Sequence, residues 1–167
     1  MRISIIGHSS SGKSTLARKI SKKLNIPHLH IDSFLFEAGG AKLNSSDKGM
    51  EKVRVYIKEK VVNFIKQDSW VSDGWYSHVQ PIVSGQTDYI IFLDIPLHRR
   101  LFNHLKRMLK SDGHKELTKW DDFKFFYKIV RRTSIKDPEI RQFVREHSDK
   151  VKIFKNYKEV EKYLNTL

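Results

Sequence analysis

The sequence contains no cysteine, which excludes disulfides and thiolate metal centres and suits a reducing compartment. No apolar run approaches the roughly 18 residues of a membrane span, so no bilayer-crossing helix is expected. Repeats, low-complexity tracts and linker-like Gly/Pro/Ser stretches are also absent. The 167 residues are therefore expected to form a single α/β domain with its own core and no second full domain. A strand-like segment, Arg2 to Ile6, follows Met1 directly, leaving no room for a signal peptide. A soluble, cytoplasmic protein without membrane contact is the expectation. Acidic residues are the minority, 19 against 32 Lys and Arg, for a formal charge of +13. The excess is uneven. Residues 1–97 carry 13 basic against 9 acidic side chains, whereas residues 98–167 carry 19 against 10. A basic C-terminal part can bind nucleic acid, line a site that closes over polyphosphate, or simply form a solvated surface.

What the sequence does have begins at Gly7. Gly7-His8-Ser9-Ser10-Ser11-Gly12-Lys13-Ser14 reads G-x-x-x-x-G-K-S, directly after the apolar run Ile3 to Ile6 and directly before a helix-forming segment, Lys13 to Leu24. Several backbone N–H groups must converge on a phosphate chain, and glycines let the backbone curl into such a nest. The start of the following helix adds its positive dipole end. Gly7 to Thr15 are thus candidate ATP-binding residues. Lys13 is placed to reach the β- and γ-phosphates, and the Ser14 hydroxyl to ligate Mg²⁺.

Further along, strand and helix patterns alternate, as in a parallel sheet covered on both faces. Strands are read at Arg2 to Ile6, Pro27 to Ile31, Ser69 to Ser72, Asp88 to Leu93 and Lys150 to Phe154. Helices are read at Lys13 to Leu24, Met50 to Gln67, Pro96 to Lys110, Asp121 to Arg132 and Tyr157 to Leu167, the last capped by Asn156. Asp137-Pro138 predicts a further helix, with proline at its first position, running to about His147. Glu37 to Gly49 and Ser111 to Lys119 read as loops able to close over a substrate. The aromatic run Phe123, Phe125, Phe126 and Tyr127 reads as core packing.

Ligands of open α/β sheets bind at the C-terminal ends of the strands, and carboxylates stand at three of them. Asp73 suits a hard oxygen ligand for Mg²⁺ beside Ser14. Asp32 suits the proton acceptor, or orienting group, for a phosphate-accepting hydroxyl. Asp94 is either an alternative to Asp73 on the metal side or an N-cap for the helix from Pro96. His28 and His30 alternate with Asp32, a spacing open to metal ligation or to packed, substrate-facing histidines. Trp75, Tyr76 and His78 either stack on an acceptor or plug the sheet edge.

The P-loop, His30-Ile31-Asp32, Trp70 to Gly74, Phe92 to Pro96 and the closing segment Tyr157 to Leu164 resemble the adenylate-kinase-like P-loop kinases, most closely the small bacterial subgroup labelled DNA topology modulation protein, FlaR-related. The resemblance implies a P-loop three-layer sandwich with a five-stranded parallel sheet in the order 2-3-1-4-5. It also implies a substrate-binding segment at about 33–68 and a short lid at about 110–120. In site terms it implies Asp73-Gly74 beside Mg²⁺, Arg107 at the lid base and Arg131 or Arg132 beyond the lid, both arginines contacting phosphates. The chain departs from the pattern at Trp75-Tyr76-Ser77, where nucleoside monophosphate kinases carry Phe-Pro-Arg, and at Asn103, where an arginine is common. Nothing in it resembles a topoisomerase tyrosine site or a helix-turn-helix. The implied activity is ATP-dependent phosphoryl transfer to a small acceptor, a nucleoside, nucleotide or similar metabolite, with Lys13, Asp32, Arg107 and Arg131 as catalytic residues. The alternative is a nucleic-acid-associated ATPase or a regulatory ATP-binding protein.

Overall fold

Strand β1 (Arg2–Gly7) is buried on both faces from Ile3 onward, and this apolar run occupies the centre of the sheet. The structure, a computed structural model, describes residues 1–39, 48–110 and 119–166, without the side chains of residues 108–110, 119–126, 128 and 132. Around β1 the other strands, β2 (His28–His30), β3 (Trp70–Asp73), β4 (Tyr89–Leu93) and β5 (Val151–Phe154), all run parallel to their neighbours in the order β2-β3-β1-β4-β5. This is the expected α/β fold, a five-stranded parallel sheet in the order 2-3-1-4-5. Parallel neighbours require long crossovers, so helices cover both faces.

Alternation along the strands decides which helix each residue meets. Ile3, Ile5, Val71, Ile91 and Leu93 pack with Leu16, Ala17 and Ile20 of α1 (Lys13–Leu24) and with Val160 and Leu164 of α7 (Tyr157–Thr166). On the opposite face, Ile6, Ile90 and Phe92 meet Ile140, Phe143 and Val144 of α6 (Lys119–Glu146). Trp70 and Leu29 on that side meet Val53, Ile57 and Val61 of α3 (Gly49–Phe64) and Val83 of α4 (Gln80–Gly85). Helix α7 is capped as its sequence predicts: the Asn156 Oδ1 accepts the Glu159 N–H at 3.0 Å, and Glu159 reaches back to the Lys155 N–H. Among the described residues, no helix is long and apolar enough to cross a membrane.

Several boundaries differ from the sequence reading. Strand β2 stops at His30, where its pairing with β3 ends opposite Asp73. Ile31 and Asp32 instead open α2 (Ile31–Glu37), with the Ser33 hydroxyl donating to the His30 carbonyl at 2.7 Å. Helix α4 follows no long periodic pattern. Its six residues are too few to show one. The two helices expected around Pro138 are one, α6, with the proline inside it. Ile129, Ile140, Phe143 and Val144 are buried on either side of the proline, and that burial outweighs the backbone hydrogen bond lost at Pro138. Tyr127, read as core, is 61% exposed. Helix α5 (Leu97–Lys110) starts too late for Asp94 to cap it. Most of the two expected closing segments, residues 40–47 and 111–118, lies outside the described residues.

Gly74, immediately beyond β3, has φ +131°, and a Cβ there would lie 3.1 Å from the Ile31 Cβ. Gly85 has open space and ordinary backbone. Gly74→Ala is therefore expected to cost about 1–3 kcal/mol, while Gly85→Ala is neutral or stabilises by up to about 1 kcal/mol. Urea midpoints of the two variants check the contrast.

Candidate active site

The chain turns at the end of β1 through three residues with positive φ, Gly7 at 145°, Ser10 at 62° and Gly12 at 91°. At Gly7 a Cβ would stand 2.8 Å from the Leu93 carbonyl oxygen of the neighbouring strand, so only glycine fits that approach. Helix α1 then starts at Lys13. The loop is braced from outside. Asn103 of α5 donates to the Ser10 carbonyl at 3.1 Å, and the Tyr157 hydroxyl of α7 donates to the Ser11 carbonyl at 3.2 Å. Asn103 and Tyr157 also bond each other. Arg107 reaches the Ser10 hydroxyl at 3.0 Å. Asn103, the departure from the arginine pattern, thus holds loop backbone rather than leaving a gap. Tyr157 was not foreseen as part of the site.

Inside the loop, Lys13 donates to the His8 carbonyl at 2.9 Å. Burial lowers its pKa, and the nearby carboxylates of Asp32 and Asp73 partly offset that. The Ser14 hydroxyl donates to Asp73 Oδ2 at 2.5 Å. Ser9 and Ser10 are half-buried, the Ser11 hydroxyl is buried and without a hydrogen-bond partner among the described residues, and Thr15 points outward as an exposed residue. His8 is buried and sits 2.9 Å from Asp137 of α6. Asp137 in turn accepts from Arg141, which also reaches Asp94. Asp94 is therefore committed to Arg141, and Asp73 is the carboxylate brought to Ser14.

Asp73 collects more than the serine. His28 Nε2 lies 2.6 Å and His30 Nδ1 3.0 Å from its Oδ1. The carboxylate is fully buried. Burial alone would push its pKa up, but the hydrogen bonds from His28, His30 and Ser14 outweigh burial and hold it well below the usual carboxylate range. The same bond raises the pKa of His30 against its own partial burial. The two histidines therefore gather on Asp73 and not on Asp32, which the turn into α2 carries elsewhere.

Asp32 faces a cavity of about 600 Å³ that also contains Lys13, Arg54, Tyr76, His78 and Lys136. The Tyr76 hydroxyl donates to Asp32 Oδ1 at 2.8 Å. Apolar walls come from Leu35, Val53, Ile57 and Ile140. Lys136 is held by Ser77 at 3.0 Å and Glu139 at 2.8 Å. Trp75 packs edge-on against Phe143, with ring centroids 5.1 Å apart, and Trp75, Tyr76 and His78 all line the cavity. Arg131 does not join them. It is exposed on α6, two residues from both Ile129 and Thr133, which line the cavity, and so on another face of the helix. The Arg132 side chain lies outside the described residues.

These residues fit a nucleoside triphosphate with Mg²⁺. The loop has the left-handed turns a phosphate nest requires, and Ser14 and Asp73 offer paired hard oxygens. No protein-family model matches the chain, and no curated protein matches it in sequence. In three dimensions it is similar to the shikimate kinase of Bacteroides thetaiotaomicron, with a TM-score of 0.67 at 16% identity over 99% of this chain and 95% of that one. The likeness is in the fold.

Because the folded pKa of Asp73 lies below its unfolded value of about 3.9, its contribution to stability is fully present above that value and is lost as the pH falls through the folded one. Urea unfolding from pH 6 to pH 2 should show this acid limb, on the order of a few kcal/mol, and Asp73→Asn should flatten it. An unchanged acid limb in Asp73→Asn would place the titrating carboxylate elsewhere.

Proposed function

We propose that the protein is an ATP-dependent phosphotransferase that moves the γ-phosphoryl group to a hydroxyl of a small molecule. The observation that carries this reading is the cavity shared by Lys13 of the P-loop and Asp32, a carboxylate that forms no ion pair among the described residues. A motor or a GTPase switch has no need of a second, substrate-sized chamber beside its lysine. Asp32 accepts the proton of the attacking hydroxyl through Oδ2, while Tyr76 holds its Oδ1 and fixes its orientation. Lys13 and the loop N–H groups stabilise the charge on the transferring phosphoryl oxygens. Mg²⁺, when bound, neutralises charge between the β- and γ-phosphates, and Ser14 and Asp73 are the residues that would hold it. Arg107 supplies the additional cation at the loop. Arg131 is left out of this reading because it stands on another face of α6.

The acceptor is a nucleoside, nucleotide or similar metabolite of a size that fits about 600 Å³. The motif resemblance supports placing the chain beside the topology-modulation subgroup, and the cysteine-free composition supports a cytoplasmic setting. The basic excess in residues 98–167 supports a second reading, a nucleic-acid-regulated ATPase. That reading requires binding which weakens steeply as salt rises, and absence of binding at low salt removes it.

The test is an ADP-release screen over nucleosides, nucleoside monophosphates, small hydroxylated metabolites and 5′-hydroxyl oligonucleotides, with Lys13→Ala as the blank. One strong acceptor is expected, with turnover abolished in Lys13→Ala. In Asp32→Asn, transfer should drop by roughly 10²-fold or more with ATP affinity nearly unchanged. Wild-type turnover in Lys13→Ala would overturn the assignment, and unchanged transfer in Asp32→Asn would remove Asp32 from the mechanism.

A further inference from the structure

His28 and His30 gather on Asp73, and phosphoryl transfer does not account for the two histidines. Parallel pairing sets His30 beside Asp73 and His28 beside Val71. Since side chains alternate along a strand, both imidazoles share one face with the carboxylate. His28 Nε2 and His30 Nδ1 converge on the same oxygen, Oδ1, at 2.6 and 3.0 Å, and the three ligand atoms lie within 4.8 Å of one another. The two imidazoles occupy both lone pairs of Oδ1, and a cation seated among the three groups would take the place of those two hydrogen bonds. Asp73 is fully buried, while His28 and His30 are 17% and 39% exposed, which leaves an approach from solvent. Asp73 Oδ2 is held by Ser14, the kind of outer hydrogen bond that orients a ligating carboxylate.

We propose that His28, His30 and Asp73 bind a first-row divalent transition cation of the manganese-to-nickel group. Two imidazoles and one carboxylate with open positions make a donor set that favours such ions, whereas Mg²⁺ takes oxygen ligands almost alone. The N···O distances of 2.6 and 3.0 Å are those of hydrogen bonds, and all three ligand atoms already lie within 4.8 Å of one another, close enough to be drawn onto one cation. The site shares its carboxylate with Ser14, so a cation held there acts directly on the cation side of the nucleotide loop. Binding of the metal itself does not depend on the phosphotransferase reading.

The test uses the full chain without nucleotide. Calorimetry with Mn²⁺ and visible absorption with Co²⁺ should each show one saturable site per chain, not displaced by a tenfold excess of Mg²⁺. His30→Gln and the double variant His28→Ala/His30→Ala should weaken binding at least about tenfold. A measurement independent of variant folding is paramagnetic broadening of the wild-type imidazole resonances, in which Mn²⁺ should broaden those of His28 and His30 ahead of the other six histidines. Absence of a saturable site, displacement by a tenfold excess of Mg²⁺, unchanged binding in folded variants, or equal broadening of all histidines would overturn the proposal.

Discussion

The buried carboxylate of Asp73 is the interaction on which the site depends. It sits at the end of β3 beside the central strand, with Ile5 of β1 as its register partner on one side and His30 of β2 on the other. A lone ion in that position would cost several kcal/mol in desolvation. Three hydrogen bonds, from Ser14, His28 and His30, make it tolerable. They also join three elements: the first turn of α1, the edge strand β2 and the β3 end. The start of the P-loop helix is thereby tied to the sheet edge where the cavity opens.

The loop itself is a second level of preorganisation. Its carbonyls at Ser10 and Ser11 are held from α5 and α7, and His8 is tied to α6 through Asp137. Elements distant in sequence therefore fix the backbone that would carry the phosphates. Groups already positioned would not need to reorganise during the proposed transfer, which is where electrostatic catalysis gains most. Among the described residues, the cavity beyond Lys13 combines one carboxylate, several cations and an apolar wall. It suits a small polar molecule with an apolar body.

Sequence patterns conveyed the parallel sheet, the P-loop, and the positions of α1, α3, α5 and α7, because each of these rests on local periodicity or on a motif whose spacing follows from the ligand; the order of the strands was implied by the family resemblance alone. They conveyed less where tertiary contacts decide. Asp32 looked like a strand-end residue because Ile31 extends the apolar run, but pairing with β3 ends at His30. The histidines alternate with Asp32 in sequence yet meet Asp73, since only the register between strands says which carboxylate lies opposite. Pro138 read as a helix start from its local signal alone, and burial on both sides of it carries α6 through. Tyr157 and Asn103 gave no signal of this bracing role, because bracing a loop from two helices needs no motif.

If the Ser14–Asp73 pair is the cation side of a nucleotide site, the affinity for ATP must depend on Mg²⁺ through that pair. Titrating ATP with and without Mg²⁺ into the wild-type chain and into Asp73→Asn measures this directly. The expected result is at least a tenfold gain in affinity from Mg²⁺, about 1.4 kcal/mol, in the wild type, and loss of most of that gain in the variant. An equal Mg²⁺ effect in both proteins would contradict it.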